Sequence, residues 1–330
     1  MATINAAGLT LMDLASRLDP DKKGIANIVE LLEQYNSFVP DMTWKEGNLL
    51  TGHQFSSRTA LPSVTYRRYN EGVAANKSRT TQVTEACGNI ATRFTLDCDL
   101  AELNGLSMAF RASEEKGHVQ AMSNEAESGM IYNSTASTPE KWHGLAPRFP
   151  STTQANGGSQ VILADGAASG SDQTSVWFVG WSENTVYGIY PKGSQAGLRI
   201  QDGGRQLVSD GTNEFWAFVT DLDWKLGLCV EDHRAVARVG NIDTSAISAT
   251  GDNVMPAMIR AFGKIFKPNL VRGCWYTDRT IATYLHLQSL EKTVQSTLSQ
   301  AEIGGRPVTT FLGFPVRSTD AITDTEAVLV

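Results

Sequence analysis

Residues 44–93 cannot make a free-standing fold, and that fact constrains the rest of the chain most. Gly47, Gly52, Pro62 and Gly72 break the stretch into short pieces rich in Thr, Ser, Val and Arg, such as SSRTALPSVTYRRYN. Val64, Tyr66 and Arg68 alternate with Thr65, Arg67 and Tyr69, so the stretch reads as β-hairpin material. Large aliphatics are few, and an isolated two-stranded ribbon is marginal in water at best. The ribbon therefore has to lie on something. Its charge is one-sided: residues 49–93 hold six bases (Arg58, Arg67, Arg68, Lys77, Arg79, Arg93) against Glu71 and Glu85, a local net of +4.

The next segment has the opposite sign. Residues 97–127 carry seven acids (Asp97, Asp99, Glu102, Glu114, Glu115, Glu125, Glu127) against Arg111 and Lys116, a net of -5. Within it, Val119, Met122, Ala126 and Met130 recur at helical spacing, which predicts a helix over 106–132. Unbroken, it would run on the order of 40 Å, although Gly117 and Gly129 weaken it. A basic hairpin beside an acidic helix makes a complementary pair of surfaces, and complementary potentials fix register between partners.

Elsewhere the pattern is mixed. Residues 10–18 read as a short helix, and Asp19-Pro20 then supplies a cap and a first-turn proline for a second helix. Ile25, Ile28, Val29, Leu32 and Tyr35 form the apolar stripe of that second helix, which Pro40 closes. The run SVWFVGWSENTVYGIY at 175–190 suits buried strand. Residues 214–242 read as two long strands with a turn near 225–227 or 231–233. Helices are expected at 253–265 and from 278 to about 299, then a strand-like C-terminal piece. These elements are segregated and show no βαβα alternation, so the class is α+β.

Signatures of chemistry are sparse. PKGSQAG has its Lys and Ser in the wrong order for a phosphate loop, and G-x-S-x-G is missing. The five histidines are scattered, without an H-x-x-x-H pair to seat zinc. Cys87, Cys98, Cys229 and Cys274 have no C-x-x-C spacing and are expected as free thiols. Asp221 and Asp223 share a strand face, but one D-x-D reads more simply as a solvated strand edge. The glutamates of the helix read as a solvated face before they read as a catalytic pair. A basic ribbon with Tyr66 and Tyr69 interleaved could grip nucleic acid. The formal net charge of -7 favours a protein partner instead, because phosphate binding selects basic chains. Asn76 and Asn133 match the glycosylation pattern, which a cytoplasmic chain never uses. The first 20 residues lack a signal-peptide pattern and no apolar run reaches about 18 residues, so a soluble cytoplasmic product is expected. No cofactor, metal or catalytic residue is assigned.

Taken in order, the segments resemble the major capsid proteins of tailed phages in the GP7-like group. The likeness is carried by LTLMDLASRLDPDKKGIANIVELLEQYNSFVPDMTWKEGN, by Leu50-Thr51-Gly52-His53 and RTALPSVTYRRYNEGVAANKS, and most specifically by VWFVGWSENTVYGIYPKGSQAGL. WKLGLCVEDHRAVARVGNID and FLGFPVRSTDAITDTE complete it. One departure is Asp278, where the family pattern has Asn.

The resemblance implies a Hong-Kong-97-type capsid fold. It places an N-terminal arm at 1–43, an E-loop hairpin at 44–93 and a peripheral domain with a spine helix at 94–150. It continues with axial-domain parts at 151–213 and 246–307, peripheral strands at 214–245 and a C-terminal strand segment at 308–330. It also implies hexamers and pentamers closing into an icosahedral virion shell assembled in the host cytoplasm around double-stranded DNA. Scaffolding protein, portal and a decoration protein are the implied partners, with no membrane. The scaffold is expected as a separate protein, because only about 40 residues precede the hairpin and none is a long charged helical run. The charge split suggests that Arg58, Arg67, Arg68, Lys77 and Arg79 of one subunit meet Glu114, Glu115, Glu125 and Glu127 of the next. Alternatives are an encapsulin-like cargo shell, a β-rich tail or receptor-binding protein, and, from another class, a hydrolase.

Overall fold

The computed structural model describes residues 34, 36–103, 107–164, 171–209, 212–247, 254–290, 298–303 and 306–329. The two helices expected within residues 10–35 lie outside them. A short helix, α1 (Phe38–Asp41), and a strand, β1 (Trp44–Glu46), lead into the hairpin of β2 (Gly52–Ala60) and β3 (Arg79–Ala86). This pair is a two-stranded sheet of its own, in register from Gly52↔Ala86 to Arg58↔Thr80.

Two details differ from expectation. Residues 61–78 form no ladder, although 64–69 alternate like a strand. Every side chain from Leu61 to Lys77 is exposed, so no buried face pins a register there. The hairpin also ends at Ala86. The next strand, β4 (Gly88–Asp97), pairs along its whole length with another sheet and takes Arg93 with it.

A short helix, α2 (Cys98–Glu102), precedes the long α3 (Ser107–Tyr132). The 26 residues of α3 span about 39 Å at about 1.5 Å per residue. Met122, Ala126 and Met130 are buried along one face, and Val119 packs partly buried beside them. Neither glycine breaks the helix. Gly129 is there for packing, since a Cβ would sit 2.7 Å from the Trp142 ring. The helix ends where Gly144 N donates to Asn133 O and Leu145 N to Met130 O, at 2.7 and 3.0 Å.

The remaining strands are β5 (Val161–Leu163), β6 (Gln173–Trp181), β7 (Val186–Tyr190), β8 (Leu198–Ser209), β9 (Glu214–Val230) and β10 (Val236–Asp243). After helix α4 (Met255–Phe262) come β11 (Arg272–Thr277), helix α5 (Arg279–Leu290), β12 (Leu298–Ile303), β13 (Arg306–Phe311) and β14 (Phe314–Ser318). The sheet path runs β12-β13-β14-β11-β6-β7-β9-β4, with β8 on β9, β1 on β7, and β10 joining β5 to β6. The 17 residues of β9 bridge two regions. Its first part pairs with β4 and β8 under α3, and its last residues pair with β7.

Every residue of β6 is buried. Its odd positions Trp177, Val179 and Trp181 share a core with Ala126 and Met130 of α3. Its even positions Val176 and Phe178 face Met258, Ala261 and Leu285 of α4 and α5. A strand covered on both faces reads as a continuous apolar run, which is what 175–181 shows.

The turn after β9 falls at the second of its two expected places, 231–235, where Asp232 accepts from Arg234 N. Two further boundaries differ. The domain limit expected at 213/214 falls inside the β8–β9 hairpin, which pairs from Leu198↔Trp224 to Ser209↔Glu214. The last helix is described over Arg279–Leu290, the expected stretch 291–297 lies outside the described residues, and Ser299 lies in β12. Asp278 in place of Asn costs α5 nothing, because its Oδ2 accepts from Thr280 N at 2.8 Å and either residue caps a helix well.

Candidate assembly surfaces

The five bases proposed for the hairpin are all on it and all exposed: Arg58 in β2, Arg67, Arg68 and Lys77 in the tip, and Arg79 at the start of β3. Arg67 Nε donates to Glu71 O at 2.8 Å, which closes a turn within the tip. Between them Leu61, Val64, Tyr66 and Tyr69 are exposed by 76% or more. Exposed apolar groups contiguous with charge mark a surface that another molecule covers. With Arg93 removed to β4, residues 54–84 carry those five bases against Glu71 alone, a net of +4.

Burial falls off from base to tip. One face of the hairpin presents the cross-strand rows His53/Glu85, Phe55/Val83 and Ser57/Thr81. The first row is buried, the second half-buried, and Thr81 in the third is exposed. Phe55 packs on Tyr187, Ile189 and Cys229. Glu85 takes both guanidinium ends of Arg148, at 2.6 and 2.8 Å. Arg148 also donates to the carbonyls of Gly144, His143 and Leu228. His143 is held below its ordinary pKa by burial and by Arg148 beside it, with Glu85 acting the other way.

The acidic helix is less uniformly outward than its sequence suggests. Glu114 is half-buried, 3.8 Å from His118 one turn on, and Glu115 is half-buried too. Glu125 is exposed and pairs with Lys141 at 2.9 Å. Arg111 reaches from the same helix to Asp202 of β8, at 2.6 Å.

Glu127 requires a correction: it is fully buried and cannot face another subunit. Its carboxylate accepts from the N–H groups of Ser37, Phe38 and Val39 and from the Thr319 hydroxyl, so it ties α1 and the C-terminal segment to α3. Burial raises its pKa, and those four hydrogen bonds pull the other way. The exposed acids that precede the helix in the chain are Asp99 and Glu102 on α2, with Asp97 capping that helix.

Sequence reasoning missed the buried polar pairs. Arg238 meets Glu326 at 2.7 Å with both side chains buried, and Ser175 and Tyr132 bond the same carboxylate. Asp41 is buried beside Arg317 and Tyr276, at 3.0 and 2.9 Å. Partners 88 and 235 residues apart leave no local pattern to find. Asp221 is in an ion pair with Arg93 across β4 and β9, which holds its carboxyl below the usual range. Among the described residues no group of three or more His, Cys, Asp or Glu could hold a metal ion, and no helix is long and apolar enough to cross a membrane. Burial pushes the thiols of Cys87, Cys229 and Cys274 up to about 12, away from reactivity.

The family model described as major capsid protein GP7 matches residues 19–330. The chain belongs to the GP7 family of major capsid proteins. No curated protein matches it. A chain of the near-atomic structure of bacteriophage Epsilon15 is 30% identical, with 100% of this chain and 99% of that one covered and a TM-score of 0.77. The bacteriophage JBD30 capsid is similar at 12% identity over 88% of this chain and 93% of that one, with a TM-score of 0.51, which shows a shared fold. The holo-SrpI encapsulin complex of Synechococcus elongatus PCC 7942 is 12% identical over 71% of this chain and 97% of that one, at a TM-score of 0.40. This capsid protein thus has the mixed helix-and-sheet architecture of Hong-Kong-97-type phage capsids. Its role is structural: copies of one chain build a phage shell, and the chain is a virion component. The family match decides for a phage shell over the encapsulin alternative.

Proposed function

We propose that the capsid protein forms hexamers and pentamers by laying its basic hairpin, as an E-loop, over the acidic N-terminal end of a neighbouring copy's long helix, as a spine helix. The observation that carries this reading is the exposed hairpin tip, net +4 over residues 54–84, with Leu61, Val64, Tyr66 and Tyr69 bare to solvent. The acceptor is the surface around Asp97, Asp99, Glu102, Glu114 and Glu115. No single exposed pair contributes more than about 1 kcal/mol, so strength comes from many copies. Each contact can then tolerate the differing angles of rings that close by rotation. The shell assembles in the host cytoplasm, guided by a scaffolding protein and a portal, and a decoration protein can cover its outside. It encloses double-stranded DNA without reading sequence, in keeping with a net charge of -7, and performs no catalysis.

Reversing Arg67 and Arg68 together to Glu tests the contact. Folded protein that no longer forms particles in negative-stain micrographs is expected. Particles of normal yield and size would contradict the reading.

A further inference from the structure

The hairpin meets the body across a cleft. Phe55, Ser57 and Val83 line one wall, Pro147, Phe149 and Val230 the other, and the space between is about 570 Å³. The hairpin is a separate two-stranded sheet, and its buried residues, Gly52, His53 and Glu85, all lie at its base. From Arg58 to Lys77 every side chain is exposed. Such a ribbon is a lever whose inclination is decided at its base.

At that base one interaction dominates. Glu85 and Arg148 form a bidentate ion pair in which the Glu side chain is 8% and the Arg 15% exposed. The planar guanidinium fork fixes direction as well as distance. Arg148 is itself fixed, because its Nε and Nη2 donate to the carbonyls of Gly144 and His143, in the loop that bonds back to the end of α3, and of Leu228 in β9. One side chain therefore references the hairpin to both the long helix and the long strand. The second base contact is looser: His53 lies 3.9 Å from Glu231, whose carboxylate is taken by the Tyr187 hydroxyl at 2.6 Å.

We propose that Arg148 and Glu85 are positioning residues, a latch that sets the angle at which the hairpin leaves the body. With the latch closed the hairpin is held off the far wall of the cleft. With it broken the hairpin tilts about its base, and the cleft gives it room to do so. A buried pair that loses one partner leaves the other charge uncompensated, so the opening is not a small perturbation. The consequence for shells rests on the hairpin being the arm between copies; the consequence for the hairpin itself does not.

Glu85→Gln and Arg148→Lys in the full chain test this, each compared with the unaltered protein by hydrogen exchange. Glu85→Gln keeps the shape and removes the charge, and Arg148→Lys keeps the charge and removes the fork. Exchange at 52–60 and 79–86 is expected to quicken by about tenfold or more in both, while exchange in α3 stays unchanged. Unchanged hairpin exchange would overturn the latch. So would an equal rise in the hairpin and in α3, which would mark the pair as general stabilisation. Fast hairpin exchange with normal shells would support the latch and count against the hairpin as the arm between copies.

Discussion

At Glu127 three backbone N–H groups and a hydroxyl converge on a carboxylate that solvent does not reach. Replacing it with Ala leaves those donors buried and unpaired, at about 1–3 kcal/mol for each group that finds no water. Gln keeps one acceptor oxygen and loses less. The pH dependence follows from the raised pKa. A carboxyl that binds its proton more tightly when folded adds stability as pH falls from its folded value toward the ordinary 4.5. Thermal unfolding between neutral pH and pH 4.5 should rank the variants unaltered, Gln, Ala. The gap between unaltered and Gln should widen on acidification. A gap that closes instead would mean that the hydrogen bonds outweigh burial. The sequence reading placed Glu127 on the charged face because it lies in an acidic run. Met130, one turn on, and Ala126 beside it show why it points inward: both are in the core, and a helix carries neighbours three and four apart on one face.

At the scale of elements, legibility followed the distance over which each pattern acts. The long helix was readable, because Val119, Met122, Ala126 and Met130 repeat within one segment, and the structure describes it over Ser107–Tyr132. The buried strand β6 was readable from its unbroken apolar run. The tip at 64–69 was misread as strand because alternation alone cannot distinguish a ladder from an extended, solvated loop. The β8–β9 pairing and the Glu85–Arg148 pair stayed hidden, since both join residues with no shared local pattern. The two glycines of α3 make the same point and yield a paired prediction. At Gly117 a Cβ meets nothing within 4 Å, so Gly117→Ala should stabilise by up to about 1 kcal/mol through helix propensity. At Gly129 the same methyl would meet Asn133 at 2.4 Å and Trp142 at 2.7 Å, so Gly129→Ala should destabilise by about 1–3 kcal/mol despite better propensity. Denaturant unfolding of the two variants should show opposite signs.

For the whole molecule, one strand and two carboxylates hold the parts together. β9 runs from the sheet under α3 into the sheet with β7, so the two regions share a backbone. Glu127 fastens α1 to the long helix, and Glu326 fastens the C-terminal segment to Arg238 and Tyr132. The hairpin is the exception. It is fastened only at its base, and it carries positive charge and bare aromatics away from a body that is acidic overall. A chain built this way has a rigid unit to repeat and one arm with which to reach a neighbour. Cryo-electron microscopy of particles assembled from the chain together with its scaffolding protein tests that claim most directly. The account predicts closed shells in which residues 58–79 of each copy lie on α2 and the start of α3 of a neighbour. Shells in which the hairpin folds back on its own body, or a preparation of monomers alone, would contradict it.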